Sequence, residues 1–97
     1  MAATYKYLSG AASTQIKVGA TKLKGFILAS GTSPTVKIYN TKDGTTTGTD
    51  VTGTLTFSGS QTPSVYTFTG DDGGVNLDQG LYVTLGGTSP VVTFIYE

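Results

Sequence analysis

Apolar and polar residues alternate along most of the chain, in short segments that Gly, Pro, Asn and Asp separate. A period of two is typical of β-strands with one buried face, and no segment shows the i, i+3, i+4 spacing of an amphipathic helix. The pattern predicts strands at residues 15–18, 22–30, 35–39, 51–57, 65–69, 81–85 and 91–96, with a short bridge at 75–77. We therefore expect an all-β fold, a β-sandwich or jelly-roll-like barrel of about seven short antiparallel strands.

The alternation also assigns faces to the strands. Three consecutive apolar residues, Phe26, Ile27 and Leu28, predict a central strand that is covered on both faces. Tyr39, Tyr82 and Tyr96 fall on outward faces or near strand ends. The expected core consists of Phe26, Leu28, Val36, Ile38, Leu55, Phe57, Phe68, Leu81, Val83 and Phe94.

One short sequence occurs twice, as Gly-Thr-Ser-Pro at 31–34 and again at 87–90. Each copy follows one apolar segment and precedes another, which predicts two β-hairpins with the same loop chemistry, related by pseudo-symmetry. The alternative is coincidence, because the chain is rich in Thr, Ser and Gly.

The chain of 97 residues is long enough for one domain. Residues 14–97 carry the alternating pattern and are expected to form a single β-sandwich domain. Residues 1–13 are small and polar, with Tyr5, Tyr7 and Leu8 as isolated apolar side chains. This segment is expected to be an N-terminal arm that orders on a neighbouring molecule.

The composition argues against catalysis, because the chain contains no Cys, His, Trp or Arg. It therefore has no thiolate nucleophile, no imidazole base and no guanidinium clamp for phosphate. Its formal net charge of zero disfavours a nucleic-acid partner. The longest apolar run, 26–29, is far shorter than the ~20 residues of a membrane helix. We expect a protein made in the cytoplasm, with no enzymatic activity, no cofactor and no membrane partner.

The densest acidic segment is Asp71-Asp72-Gly73-Gly74, with Asp78 nearby. Carboxylates in a flexible loop could bind calcium, but the spacing does not match the twelve-residue loop of the helix–loop–helix calcium sites. Asp and Gly are also the residues of tight turns, which is the favoured interpretation. We expect no metal site.

Six Tyr residues without any Trp suggest a binding surface. Tyrosines can stack on sugars, but protein contact is favoured, because the ring packs while the hydroxyl donates a hydrogen bond. The candidate protein-contact residues are Tyr5, Tyr7, Leu8, Tyr39, Tyr82 and Tyr96.

Three segments carry a resemblance to a known group of proteins: Gln15–Ser30, Val36–Asn40, and Leu77–Thr88 with its Gly-Leu-Tyr-Val-Thr sequence, leading into the strand at 91–96. Over residues 14–97 the chain resembles small structural proteins of tailed bacteriophages. The resemblance implies a virion component, a head decoration or cement protein that binds the major capsid protein or another virion protein. The three-fold axes of capsids would favour a trimer. The alternatives are a tail, baseplate or head–tail connector component, and a carbohydrate-binding module of a phage adhesin.

Overall fold

The computed structural model describes residues 4–68 and 73–97. These residues form seven strands and no helix: β1 Thr4–Ser9, β2 Ser13–Val18, β3 Thr21–Asn40, β4 Asp50–Thr56, β5 Ser64–Thr67, β6 Val75–Leu77 and β7 Gly80–Tyr96. Every pairing between them is antiparallel, and all seven strands belong to one sheet. The prediction of an all-β, antiparallel fold is confirmed.

Two long strands, β3 and β7, lie at the centre of the sheet and pair along their full lengths. The first part of β3 pairs with the last part of β7, from Leu23 opposite Tyr96 onward, and the last part of β3 pairs with the first part of β7, ending at Asn40 opposite Leu81. The edge of β7 that faces away from β3 pairs with β1 and β2. The edge of β3 that faces away from β7 pairs with β4, β5 and β6. The short strands therefore all depend on the central pair.

Both copies of the Gly-Thr-Ser-Pro sequence lie in the middle of these long strands, with Thr32 opposite Thr88. Ser33 and Ser89 have φ angles of 47° and 50°, in the left-handed region that non-glycine residues rarely adopt. Each segment is therefore a kink within a continuous strand, and the prediction of hairpin loops here is wrong. Gly31 and Gly87 also have positive φ angles, so each strand is redirected by a glycine and a serine without ending its pairing to the other.

The two kinks are related by an approximate two-fold axis. If residues 31–34 and 87–90 exchange places, Ser30 becomes equivalent to Gly86 and Val91 becomes equivalent to Thr35. Ser30 pairs with Val91, and the equivalent residues Gly86 and Thr35 also pair. The flanking strands follow the same relation, because β1 occupies the position on β7 that β4 occupies on β3. The repeated sequence thus marks two structurally equivalent halves of the chain.

Backbone hydrogen bonds repeat this symmetry at the kinks. The Gly10 amide donates to the Pro90 carbonyl oxygen at 2.8 Å, and the Phe57 amide donates to that of Pro34 at 3.0 Å. Gly10 follows β1 and Phe57 follows β4, so the two bonds are equivalent. Both prolines are fully buried, where their missing amide hydrogens leave no donor unpaired.

The core lies on one face of the sheet and draws on both sides of the kinks. Its buried apolar residues form one cluster: Leu23, Phe26, Leu28, Val36, Ile38, Leu77, Leu81, Val83, Leu85, Val92 and Phe94. The cluster has members from both halves of the kinked sheet, such as Phe26 and Phe94 from one half and Val36 and Val83 from the other. The ring of Phe57, after β4, lies 5.3 Å from that of Tyr66 on β5 and joins the two halves at their rim.

Most of the expected core is confirmed, since Phe26, Leu28, Val36, Ile38, Leu81, Val83 and Phe94 are buried. Leu55, Phe57 and Phe68 are only partly buried and pack against the rim of the cluster. They come from the short outer segments of the sheet, where no further strand of the described chain covers them.

The expected arm contains the first strand. Residues 4–9 form β1, which pairs with β7 in a register that runs without a shift from Thr4 opposite Tyr96 to Ser9 opposite Val91. This part of the N-terminal segment is therefore part of the sheet and does not extend away from it.

The substitution Gly87→Ala should destabilise the protein by more than backbone strain alone. Gly87 has a φ of 91°, and an added Cβ would lie 2.5 Å from the Ser33 carbonyl oxygen. Gly19 has a similar φ of 99° with no atom within 4 Å of that position, so Gly19→Ala measures the strain alone. Gly19→Ala should cost about 1–2 kcal/mol, and Gly87→Ala a further 1–3 kcal/mol or so from overpacking. Equal costs in urea denaturation would show that the kinks are not closely packed.

Core and rim phenylalanines should differ in their effect on stability. Phe94 is fully buried, so Phe94→Ala should lower the free energy of unfolding by about 3–5 kcal/mol. Phe57 is half-buried, so Phe57→Ala should cost less than ~2 kcal/mol. Urea denaturation of both variants tests this order, and a larger loss for Phe57→Ala would contradict the placement of the core.

Candidate protein-contact surface

Tyr5 and Tyr7 are the two most prominent side chains of β1. Their exposed fractions are 70% and 58%, large for aromatic residues. Because side chains alternate along a strand, both project from the outer face of the sheet, away from the core. Two exposed rings therefore lie on the same face of one strand.

The apolar surface continues across three further strands. Tyr7 lies opposite Thr93 on β7, Thr93 opposite Ile27 on β3, and Ile27 opposite Val65 on β5. Val65 is 65% exposed. An open groove of about 310 Å³ lies among Thr4, Tyr5, Ile27, Thr93 and Ile95. We call the surface formed by Tyr5, Tyr7, Ile27, Val65 and Ile95 the outer apolar face.

The outer apolar face consists entirely of uncharged side chains. Contiguous exposed apolar surface is a common mark of protein interaction sites, because its removal from water is favourable. Ile27, Val65 and Ile95 were not predicted as contact residues. Ile27 was expected to be covered on both faces, but it is only half-buried.

Two other candidate residues contribute to the sheet itself. Leu8 lies opposite Val92, and Tyr96 lies opposite Leu23. Both are half-buried and pack against the core cluster. Their side chains stabilise the edge of the core and are not part of the outer apolar face.

Tyr39 and Tyr82 form a separate pair on the other half of the sheet. Their ring centroids are 5.8 Å apart, and the Lys37 Nζ atom lies 5.2 Å from the centre of the Tyr39 ring. Tyr39 is only 7% exposed, so it is not available as the outward contact residue that alternation predicted. A shift in the register of β3 against β4, between Lys37 and Tyr39, lies at this position.

A second open groove, of about 450 Å³, lies where β3 begins and β7 ends. Its lining is mixed in charge and consists of Ala20, Thr21, Lys22, Asn76, Leu77, Asp78 and Glu97. Beside it, the Lys24 Nζ atom lies 3.3 Å from a carboxylate oxygen of Glu97. The candidate turn at Asp71-Asp72 lies outside the described residues. Within residues 4–68 and 73–97, no three potential metal ligands are grouped together.

Three surface groups have shifted pKa values. Hydrogen bonds from Thr45 and Thr41 lower the pKa of Asp43, and one from Asn40 lowers that of Asp78. A hydrogen bond with Tyr39 is the main cause of the raised pKa of Lys37. None of the three lines the outer apolar face. These groups are therefore parts of local polar contacts away from the candidate surface.

Comparison with known proteins found no matching family model, no matching curated protein and no matching solved structure. A search of the described residues for a helix long and apolar enough to cross a membrane found none. Evidence for a function must therefore come from the residues of the chain itself.

The contact between Asn40 and Asp78 yields a pH-dependent prediction. Asn40 Nδ2 donates to Asp78 Oδ1 at 2.8 Å, and Asn40 Oδ1 accepts from the Gln79 amide at 2.9 Å. The substitution Asn40→Ala should return the pKa of Asp78 toward its usual value, as measured by NMR titration. Asp78→Asn is the control that removes the charge but keeps the shape.

The sign of the stability change follows from the lowered pKa. A carboxyl group with a depressed pKa stabilises the folded state above its unfolded pKa, and this contribution is lost as the pH falls through its folded value. In Asn40→Ala the part of the acid sensitivity that comes from Asp78 should decrease, because the largest cause of its lowered pKa is removed. An unchanged Asp78 titration in that variant would contradict this assignment.

Proposed function

We propose that this protein is a non-enzymatic structural protein of a tailed-bacteriophage virion, a decoration or cement protein that binds the major capsid protein and stabilises the head shell. The observation that carries the proposal is the outer apolar face, with Tyr5 and Tyr7 exposed on an ordered strand. A preformed surface of this kind suits permanent attachment, since little ordering entropy is lost when it binds. The resemblance of residues 14–97 to small phage structural proteins supplies the setting.

The chemistry of the outer apolar face favours a protein partner over a sugar. A sugar-binding site needs several polar groups placed to hydrogen-bond the sugar hydroxyls. Here the neighbours of Tyr5 in the groove are Ile27 and Ile95, with hydroxyls only from Thr4 and Thr93. Apolar rings beside aliphatic side chains match the buried centre of a protein–protein interface. The adhesin alternative is therefore the weaker one.

Residue types also support a binding role over a catalytic one. The chain has no Cys and no His to serve as nucleophile or base near neutral pH. The groups with shifted pKa values, Asp43, Asp78 and Lys37, belong to hydrogen bonds or ion pairs with nearby side chains.

The composition of purified virus particles tests the proposal directly. Quantitative mass spectrometry should find hundreds of copies per particle if the protein decorates the shell. A handful or a dozen copies would instead support the tail, baseplate or connector alternative. Absence from the particle would refute the proposal.

A matched pair of variants tests the surface. The double variant Tyr5→Ser/Tyr7→Ser should weaken attachment to shells by at least ~30-fold, because central aromatic residues contribute about 2 kcal/mol or more to interfaces. Val18→Ser is the control, since Val18 is 64% exposed but lies on β2, outside the outer apolar face. Circular dichroism should show that both variants are folded. Equal binding by both variants would exclude the outer apolar face as the contact.

A further inference from the structure

The strand β1 lies at an edge of the sheet. It pairs with β7 on one side, and no other described strand pairs with it on the other. Its six residues contain no proline, and its register has no shift. Among the other edge strands, β2 has a register shift between Gln15 and Lys17, and β4 contains Gly53 with a φ of 68°. The remaining two, β5 and β6, are only four and three residues long. Bulges and short length both protect edges from pairing with other chains, and the six-residue, regular β1 has neither.

The free backbone groups of β1 can be assigned from one hydrogen bond. The Gly10 amide donates to the Pro90 carbonyl oxygen, so Gly10 faces β7. In an antiparallel pair, hydrogen-bonding residues alternate along the strand. Leu8, Lys6 and Thr4 therefore also direct their amide and carbonyl groups to β7. Tyr5, Tyr7 and Ser9 direct theirs away from the sheet, where a further strand could pair with them.

We propose that a second copy of this chain pairs with β1 of the first, antiparallel, about a two-fold axis at Tyr7. In this register Tyr7 of one copy lies opposite Tyr7 of the other, and Tyr5 lies opposite Ser9. These residues are the ones whose backbone groups point to the free edge. The pairing therefore satisfies all of their donors and acceptors, three residues on each copy.

The side chains favour this register over its neighbour. Lys6, the charged residue of β1, lies opposite Leu8, and its aliphatic stem can cover that half-buried side chain. In the register centred on Lys6, the two lysines would be directly opposite each other, which like charges disfavour. On the outer face, Tyr7 meets Tyr7, and Tyr5 lies diagonal to Tyr7 of the other copy. Aromatic cross-strand pairs of this kind stabilise sheets.

The dimer joins two sheets into one and makes two outer apolar faces continuous. One pair of short strands should bury less than the ~1,200 Å² of a standard interface, so the association should be weak and concentration-dependent. The contact is two-fold, unlike the trimer that capsid symmetry favours. It uses Tyr5 and Tyr7, which the proposed function also assigns to shell binding, but the backbone pairing at the free edge of β1 does not require the proposed function to be correct.

Molecular mass in solution is the first test. Sedimentation equilibrium of the full chain, from about 10 µM to 1 mM, covers the range expected of a weak interface. The mass should rise from the monomer value of 10.0 kDa toward twice that value. A mass that stays monomeric throughout, or that tends toward three times the monomer value, would overturn the proposal.

Cysteine cross-linking tests the register, because the chain has no native Cys. In Tyr7→Cys the two Cα atoms would be ~5.5 Å apart across the axis, within the range that a disulfide spans. In the control Tyr5→Cys they would be four residues apart along the ladder, ~13 Å, and too distant to join. Oxidation should give a covalent dimer for Tyr7→Cys and little for Tyr5→Cys. Equal yields from the two variants would refute the register.

Proline substitution tests the backbone pairing without removing any bond to β7. The Tyr7 amide points to the free edge, so Tyr7→Pro should abolish dimerisation and leave the monomer folded. Tyr7→Ala is the control, since it removes the ring but keeps the amide. Dimerisation of Tyr7→Pro as strong as that of Tyr7→Ala would show that the contact uses side chains alone.

Discussion

The antiparallel pairing of β3 with β7 is the interaction on which the rest of the fold depends. Each short strand pairs with one member of this central pair, and no two short strands pair with each other among those described. Ten of the eleven clustered core residues also lie on β3 or β7, and Leu77 on β6 is the exception. The same two strands thus supply both the hydrogen-bonding edges and the buried face, so a change at the kinks affects all of the sheet at once.

The alternation of residues located most of the strands but could not show which of them are continuous. Gly and Pro normally end strands, so the segments at 31–34 and 87–90 predicted loops. Instead, β3 and β7 continue through these segments, with Ser33 and Ser89 in the left-handed conformation. Residue type does not reveal this conformation in serine, since glycine is its usual occupant. The exact repeat of four residues was the useful signal, because it correctly indicated that two parts of the chain are equivalent.

The exposure of a candidate side chain could be predicted where it follows from position on an edge. Tyr5 and Tyr7 were assigned as contact residues, and they are exposed. Their strand was missed, because an edge strand with an open outer face buries only part of one apolar side chain, Leu8. Tyr39 was misassigned for a different reason. It does alternate outward, but its neighbours Tyr82 and Lys37 cover it, and such coverage depends on pairing between distant segments.

The separation of β3 and β7 along the chain also determines when the protein can fold during synthesis. Thr32 must meet Thr88, so the central pair cannot form until β7 has been synthesised. Until then β3 has no central partner, and closing so long a loop costs entropy before any contact offsets it. The nascent chain therefore passes through a stage in which a long apolar strand is exposed. Chaperones that bind extended apolar segments would protect this intermediate, and rapid, highly parallel synthesis would favour its aggregation.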